Sequence, residues 1–127
     1  MSRSARLGRA GETVALLWLL ARGYRLRDRR WGGRGGELDL VMERRGLLVF
    51  VEVRTRSGPG FGGALASVDR TKRERIVRTA AAYLTRHALW DRPCRFDVVA
   101  IERTGSWLPW RLRHVPGAFE PGPLRPG

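Results

Sequence analysis

Two acidic residues stand where the surrounding pattern calls for apolar side chains. The run Leu47-Leu48-Val49-Phe50-Val51 is apolar on both faces, as in a strand covered on both sides. Glu52 and Arg54 then continue the face of Leu48 and Phe50. Burying even a neutral polar group without a partner costs roughly 2–7 kcal/mol, so a chain keeps such a residue for an ion pair or for a metal and chemistry. A second run, Glu37-Leu38-Asp39-Leu40-Val41-Met42, comes just before it, joined through Arg44-Arg45-Gly46-Leu47. A two-residue turn pairs Arg44 with Leu47, and the same register sets Asp39 opposite Glu52. Directly opposite residues share a face, with Cβ atoms about 4.5–5.5 Å apart. Glu37, Asp39, Glu52 and Arg54 should therefore project together. Carboxylates that close repel one another unless a divalent cation lies among them, and an oxygen-only ligand set suits Mg²⁺ or Mn²⁺. The simpler alternative is a structural Glu52–Arg54 ion pair, with Asp39 at a wet sheet edge.

The charge balance says what such a site could act on. Of 127 residues, 25 are Lys or Arg and 12 are Asp or Glu, a net charge of +13. A single domain this basic points to a polyanion, and nucleic acid is the first candidate. An anionic membrane surface fits less well, because no long basic amphipathic helix stands out. Only Lys72 among the basic residues is lysine. Cys94 is the single cysteine, which excludes an intrachain disulfide and fits a reducing, cytoplasmic setting. Residues 2–9 are basic and 14–21 apolar, a loose imitation of a signal peptide. Eight apolar residues are too few to span a bilayer, and the segment reads as a folded first helix.

That helix should run from residue 6 or 8 to 22, with Gly23 as its stop and Ala10, Val14, Leu17 and Ala21 on its packed face. Glu12 lies near its start, where the helix dipole alone accounts for an acid. Residues 24–31 read as a strand polar on one side, and residues 32–36 as a flexible connection. The glycine-rich stretch 57–63 reads as a mobile loop beside the carboxylates. A second helix should span 68–86, capped by Ser67 or Asp69, with Ile76, Val77, Ala80, Ala81 and Leu84 buried and Lys72 continuing that stripe. Arg70, Arg73, Arg75, Arg78 and Arg86 cover the rest of it, a surface suited to phosphates. Residues 95–101 and 110–115 complete the strands, and the Pro- and Gly-rich residues 116–127 read as a disordered tail. The order is αβββαβ with a short last strand, a three-layer α/β domain over residues 1–115.

These residues resemble a known family. Gly8-Arg9-Ala10-Gly11-Glu12, Gly36-Glu37-Leu38-Asp39-Leu40-Val41 and Phe50-Val51-Glu52-Val53-Arg54-Thr55-Arg56 carry the likeness, together with Lys72 and Arg95-Phe96-Asp97-Val98-Val99. They resemble the restriction-endonuclease-like PD-(D/E)XK superfamily and, within it, the YraN family of UPF0102-type predicted endonucleases, which are similar to archaeal Holliday-junction resolvases. The resemblance implies a three-layer αβββαβ core with a mixed central sheet. It also implies a Mg²⁺- or Mn²⁺-dependent endonuclease on nucleic acid, with DNA favoured and branched DNA one candidate form. Asp39 and Glu52 would be metal ligands, with Glu12 as a third, and Arg54 and Lys72 would complete the catalytic set. Arg54 stands where the family pattern has lysine; arginine keeps the charge but cannot act as a base. Arg9, Arg56, Arg70 and Arg73 are the expected nucleic-acid contacts, and a homodimer would suit a two-fold junction. A non-catalytic nucleic-acid-binding module on the same fold is the alternative.

Overall fold

The computed structural model describes residues 3–57, 62–103 and 110–124. Helix α1 (Arg3–Ala21) is followed by strands β1 (Arg25–Gly33), β2 (Gly36–Arg44) and β3 (Leu47–Ser57). Helices α2 (Gly62–Ala66) and α3 (Arg70–His87) then lead to β4 (Cys94–Arg103) and β5 (Trp110–Val115). The five strands form one sheet in the order β1-β2-β3-β4-β5, antiparallel except for the parallel β3–β4 pair. Helix α3 lies in the crossover that a parallel pair requires. One core cluster joins α3 to Leu48, Phe50, Phe96 and Val98; the other joins α1 to Val49, Val51, Val99 and Ile101. Odd and even residues of β3 and β4 thus serve opposite faces, and the architecture is three-layered α/β, as the sequence implies.

The β2–β3 turn is the expected two-residue one. Arg44 pairs with Leu47, and Arg45 and Gly46 both take positive φ, 51° and 82°, which closes the hairpin tightly. Residues 32–36 are not a flexible connection: β1 and β2 pair up to Gly33 and Gly36, leaving Arg34 and Gly35 as the turn. Asp69 caps α3 by accepting a hydrogen bond from the Lys72 backbone N–H at 2.9 Å. Ser67 is not the cap. The buried α3 residues are Ile76, Ala80, Tyr83 and Leu84, with Val77 packed at the margin. Residues 58–61 of the expected mobile loop lie outside the described residues, and the short α2 begins at its end.

Two expectations are corrected by packing. Helix α1 buries Gly11, Ala15, Leu16 and Leu19, whereas Leu17 is 61% exposed and Ala10 and Ala21 face solvent. The predicted stripe is rotated because the second half of the helix is apolar nearly all round and offers more than one face. The expected disordered tail is held down over its described part. Gly117 donates its N–H to Asp97 at 3.0 Å, Ala118 donates to the Phe96 carbonyl at 2.8 Å, and Phe119 is buried in the α3-side core. Residues 125–127 lie outside the described residues.

Candidate functional site

The site is built where β2 and β3 part. Their ladder runs from Arg44↔Leu47 to Leu40↔Val51 and stops one step short of Asp39 and Glu52. Leu38 packs on the α3 side and Leu40 on the α1 side, although a regular strand would put residues two apart on one face. The alternation therefore breaks at Asp39. Beyond the ladder, the Val53 backbone N–H donates to Asp39 Oδ2 at 2.9 Å, so a side chain takes the place of a neighbouring strand. That bond fixes the Asp39 carboxylate against β3.

Glu52 is 5% exposed, on the face of Leu48 and Phe50. Its Oε1 lies 3.5 Å from Arg54 Nη1 and 3.7 Å from Lys72 Nζ, the latter reaching down from the first turn of α3. Arg54 is anchored a second time: its Nε donates to Ser67 Oγ at 2.9 Å, and Ser67 Oγ donates to the Ala64 carbonyl at 2.6 Å. The short α2 thus serves to clamp Arg54, a role for Ser67 that no sequence pattern announces. Burial pushes the Glu52 carboxyl up from its ordinary 4.5 to about 8, with the Asp39 charge adding to it and Lys72 and Arg54 opposing. Asp39 is also raised, by burial first, against the lowering effect of the Val53 N–H and the two cations. The two carboxyl groups are close enough to share a proton. Burial and the like charge of its neighbour thus disfavour full ionisation of the pair.

Glu12 reaches the same cavity from α1. Gly11 makes this approach feasible, since a Cβ there would stand 2.1 Å from Thr55 Oγ1. Burial raises the Glu12 carboxyl, and Asp39 adds to the rise. Its Oε1 lies 3.1 Å from Arg30 Nε and 4.0 Å from Arg29 Nη2, yet it is buried without a hydrogen bond of proper geometry. Arg30 attains this position through a positive φ of 47°, a break in β1 that its sequence does not signal. Among the described residues no group of three or more His, Cys, Asp or Glu side chains is arranged to hold a metal ion. The expected three-carboxylate ligand set is thus reduced to a close pair, Asp39 and Glu52, with Glu12 turned to two arginines.

Glu12, Glu37, Asp39, Glu52, Arg54 and Lys72 all line one cavity of about 580 Å³. Of the four expected nucleic-acid contacts, only Arg56 lines it; Arg9 is exposed on α1, outside it. Arg70 is paired with Glu74 at 3.3 Å. Arg73 donates to the Val68 carbonyl at 3.0 Å and lies over the Phe119 ring. Arg75, one turn beyond Lys72 on α3, lines the cavity instead.

Residues 11–101, which include every cavity residue except Gly8, match the model of uncharacterised protein family UPF0102. The chain belongs to UPF0102. A UPF0102 protein of Pseudomonas putida strain F1 is 49% identical over 119 residues, covering 91% of this chain and 94% of the relative. One from Stutzerimonas stutzeri is 48% identical over 121 residues, covering 94% and 99%. One from Myxococcus xanthus is 45% identical over 115 residues, covering 91% and 90%. The chain is thus similar to UPF0102 relatives nearly end to end, and the family resemblance drawn from its motifs holds. Among the described residues of this UPF0102 protein, no helix is long and apolar enough to cross a membrane.

Proposed function

We propose that this UPF0102 protein is a divalent-metal-dependent nucleic-acid phosphodiesterase, an endonuclease acting on DNA, with branched DNA one candidate substrate. The observation that carries the reading is the Asp39–Glu52 pair, half-buried and buried respectively, at a strand divergence beside two cations. A binding surface alone has no use for two acids held at such a cost in desolvation. The donors fit the proposed metal: they are carboxylate oxygens, as Mg²⁺ and Mn²⁺ prefer, and burial disfavours the ionised forms that a divalent cation would restore. Glu12, at the cavity wall, would join them only by giving up its contacts with Arg30 and Arg29.

When bound by Asp39 and Glu52, the cation supplies Lewis acidity toward a phosphate oxygen and makes a bound water more acidic. The chain does the rest. Lys72 and Arg54 place two positive charges beside Glu52, where they can take up the negative charge that grows on a pentacovalent phosphate. Arg54, held by Ser67, is fixed in orientation and serves as a positive charge rather than as a base. Lys72 is the more exposed and compact of the two, with 37% of its side chain exposed. Arg56 and Arg75 at the cavity wall suit the flanking phosphates.

One observation favours the rival, a nucleic-acid-binding module without chemistry. Both cations already point at Glu52, so the pair is compensated without a metal. A panel of linear and branched substrates incubated with Mn²⁺, Mg²⁺ or EDTA decides between them. Metal-dependent cleavage that is lost in Asp39→Asn supports the enzyme. Binding without cleavage by the parent under all conditions sustains the rival.

A further inference from the structure

A second groove of about 600 Å³ adjoins the carboxylate cavity, with Gly36 in the wall of both. On one side is the β1–β2 hairpin turn, Arg34 and Gly35; on the other are Arg78 and Thr79 of α3. Its lining has two guanidinium groups and no carboxylate. Neither Arg34 nor Arg78 makes a hydrogen bond or ion pair with another described residue, and both are exposed. This sets them apart from Arg73 on the same helix, which donates to the Val68 carbonyl and lies over Phe119, and from Arg70, whose exposed side chain pairs with Glu74 on the surface. The floor is glycine. A Cβ at Gly33 or Gly35 would meet nothing within 4 Å, so there is open space for a backbone to approach, whereas Gly36 is pressed against Thr79 and keeps hairpin and helix together.

The basic positions on α3 also advance from the first cavity toward the second, turning about 60° round the helix at each step. Lys72, Arg75 and Arg78 step along α3 at intervals of three residues, about 4.5 Å of helix rise each. Phosphates advance about 3.4 Å along the axis for each nucleotide of a duplex strand. Lys72 and Arg75 line the first cavity and Arg78 the second, where it also borders the groove holding Glu74 and Glu120, so the series leads from the carboxylate pair out to the hairpin.

From these features we infer that Arg34 and Arg78 form a second phosphate subsite, which holds the nucleic-acid backbone running on from the carboxylate cavity. The inference rests on the nucleic-acid reading above and adds where the strand lies. Two positive groups without internal partners, facing each other over a glycine floor, are suited to consecutive phosphates and to no particular base. The subsite therefore contributes affinity and register rather than sequence preference.

The test compares the full chain with Arg34→Gln/Arg78→Gln and with a control, Arg25→Gln/Arg113→Gln. The control removes the same net charge from exposed positions outside the groove, at the start of β1 and on β5. Fluorescence anisotropy with a labelled duplex DNA, in EDTA, gives the dependence of log K on log salt. Losing two phosphate contacts should make the slope shallower by about 1.8, at roughly 0.9 per contact. The control should keep most of the parent's slope. Thermal melts of both doubles should match the parent, since the four side chains are exposed. Parent-like slope in the groove double, or an equal loss in the control, overturns the subsite and leaves the metal-site reading intact. Failure of the parent to bind DNA at any salt overturns the nucleic-acid reading and the subsite with it.

Discussion

Glutamine at position 52 should change how the metal-free protein responds to pH. A Glu52 carboxyl raised from 4.5 to about 8 keeps its proton in the folded protein across a range in which the unfolded chain has lost it. The folded state then binds more protons, and stability falls as pH rises through that window. The contribution is fully present below pH 4.5 and has been lost by the time pH passes about 8. Each pH unit of the window corresponds to roughly 1.4 kcal/mol, which sets a ceiling on the order of 5 kcal/mol. Loss of the charged partner of Arg54 and Lys72 in the variant works against this, so a relative gain of about 2–4 kcal/mol is expected. Glu52→Gln imitates the protonated acid and does not titrate. Urea unfolding in EDTA should therefore find parent and variant within about 1 kcal/mol of each other at pH 5, and the variant ahead at pH 9. Mn²⁺ at a hundredfold excess over its Kd should return about 2.7 kcal/mol to the parent at pH 9 and nothing to the variant. A difference between parent and Glu52→Gln that stays constant from pH 5 to pH 9 would refute the account of a buried, proton-sharing pair.

Further outcomes follow from other contacts. Gly11→Ala should push α1 off β3, costing about 1–3 kcal/mol and displacing Glu12, because the new Cβ would stand 2.1 Å from Thr55 Oγ1. Adding Thr55→Ala should recover most of that loss in a double-mutant cycle of unfolding free energies. Lys72→Arg should slow single-turnover cleavage at least tenfold, on the order of 1.4 kcal/mol, while Arg54→Lys keeps or raises it; equal rates in parent and Lys72→Arg would reassign the role to Arg54. Asp97 is wholly buried, and burial raises its carboxyl, but Arg95, His114 and the Gly117 N–H outweigh that and hold it below the usual range. Its stabilisation is present above pH 3.8 and fades as pH falls through the lowered value, so Asp97→Asn should cost about 3–5 kcal/mol at neutral pH and flatten the acid limb of the melt.

Much of the site was legible because local rules dictate it. The Arg45-Gly46 turn and alternating strands fix the β2–β3 register from a few adjacent residues, and that register carries Asp39 and Glu52 to adjoining positions one step beyond the last paired residues. Lys72 falls in line with Ile76 by helical periodicity, and this suffices to aim it at the sheet face of Glu52. The final strand, Trp110–Val115, also lies where the pattern puts it.

Tertiary structure decided the rest, where the sequence leaves several local solutions of similar energy. A helix with Leu16, Leu17, Trp18, Leu19 and Leu20 in succession has no single apolar stripe, so the close approach of Gly11 to Thr55 selects its inward face and with it the position of Glu12. The break in β2 at Asp39 exists because β3 stops pairing there, and that is a property of two strands rather than of one. A Pro- and Gly-rich tail carries too little apolar surface to order itself, yet Phe119 finds a core already formed by Phe96 and α3. The arginines are the plainest case. Composition counts them alike, but Arg73 lies over the Phe119 ring while Arg34, Arg75 and Arg78 face outward at the grooves, because that ring reaches α3 from far along the chain only when the tail folds back.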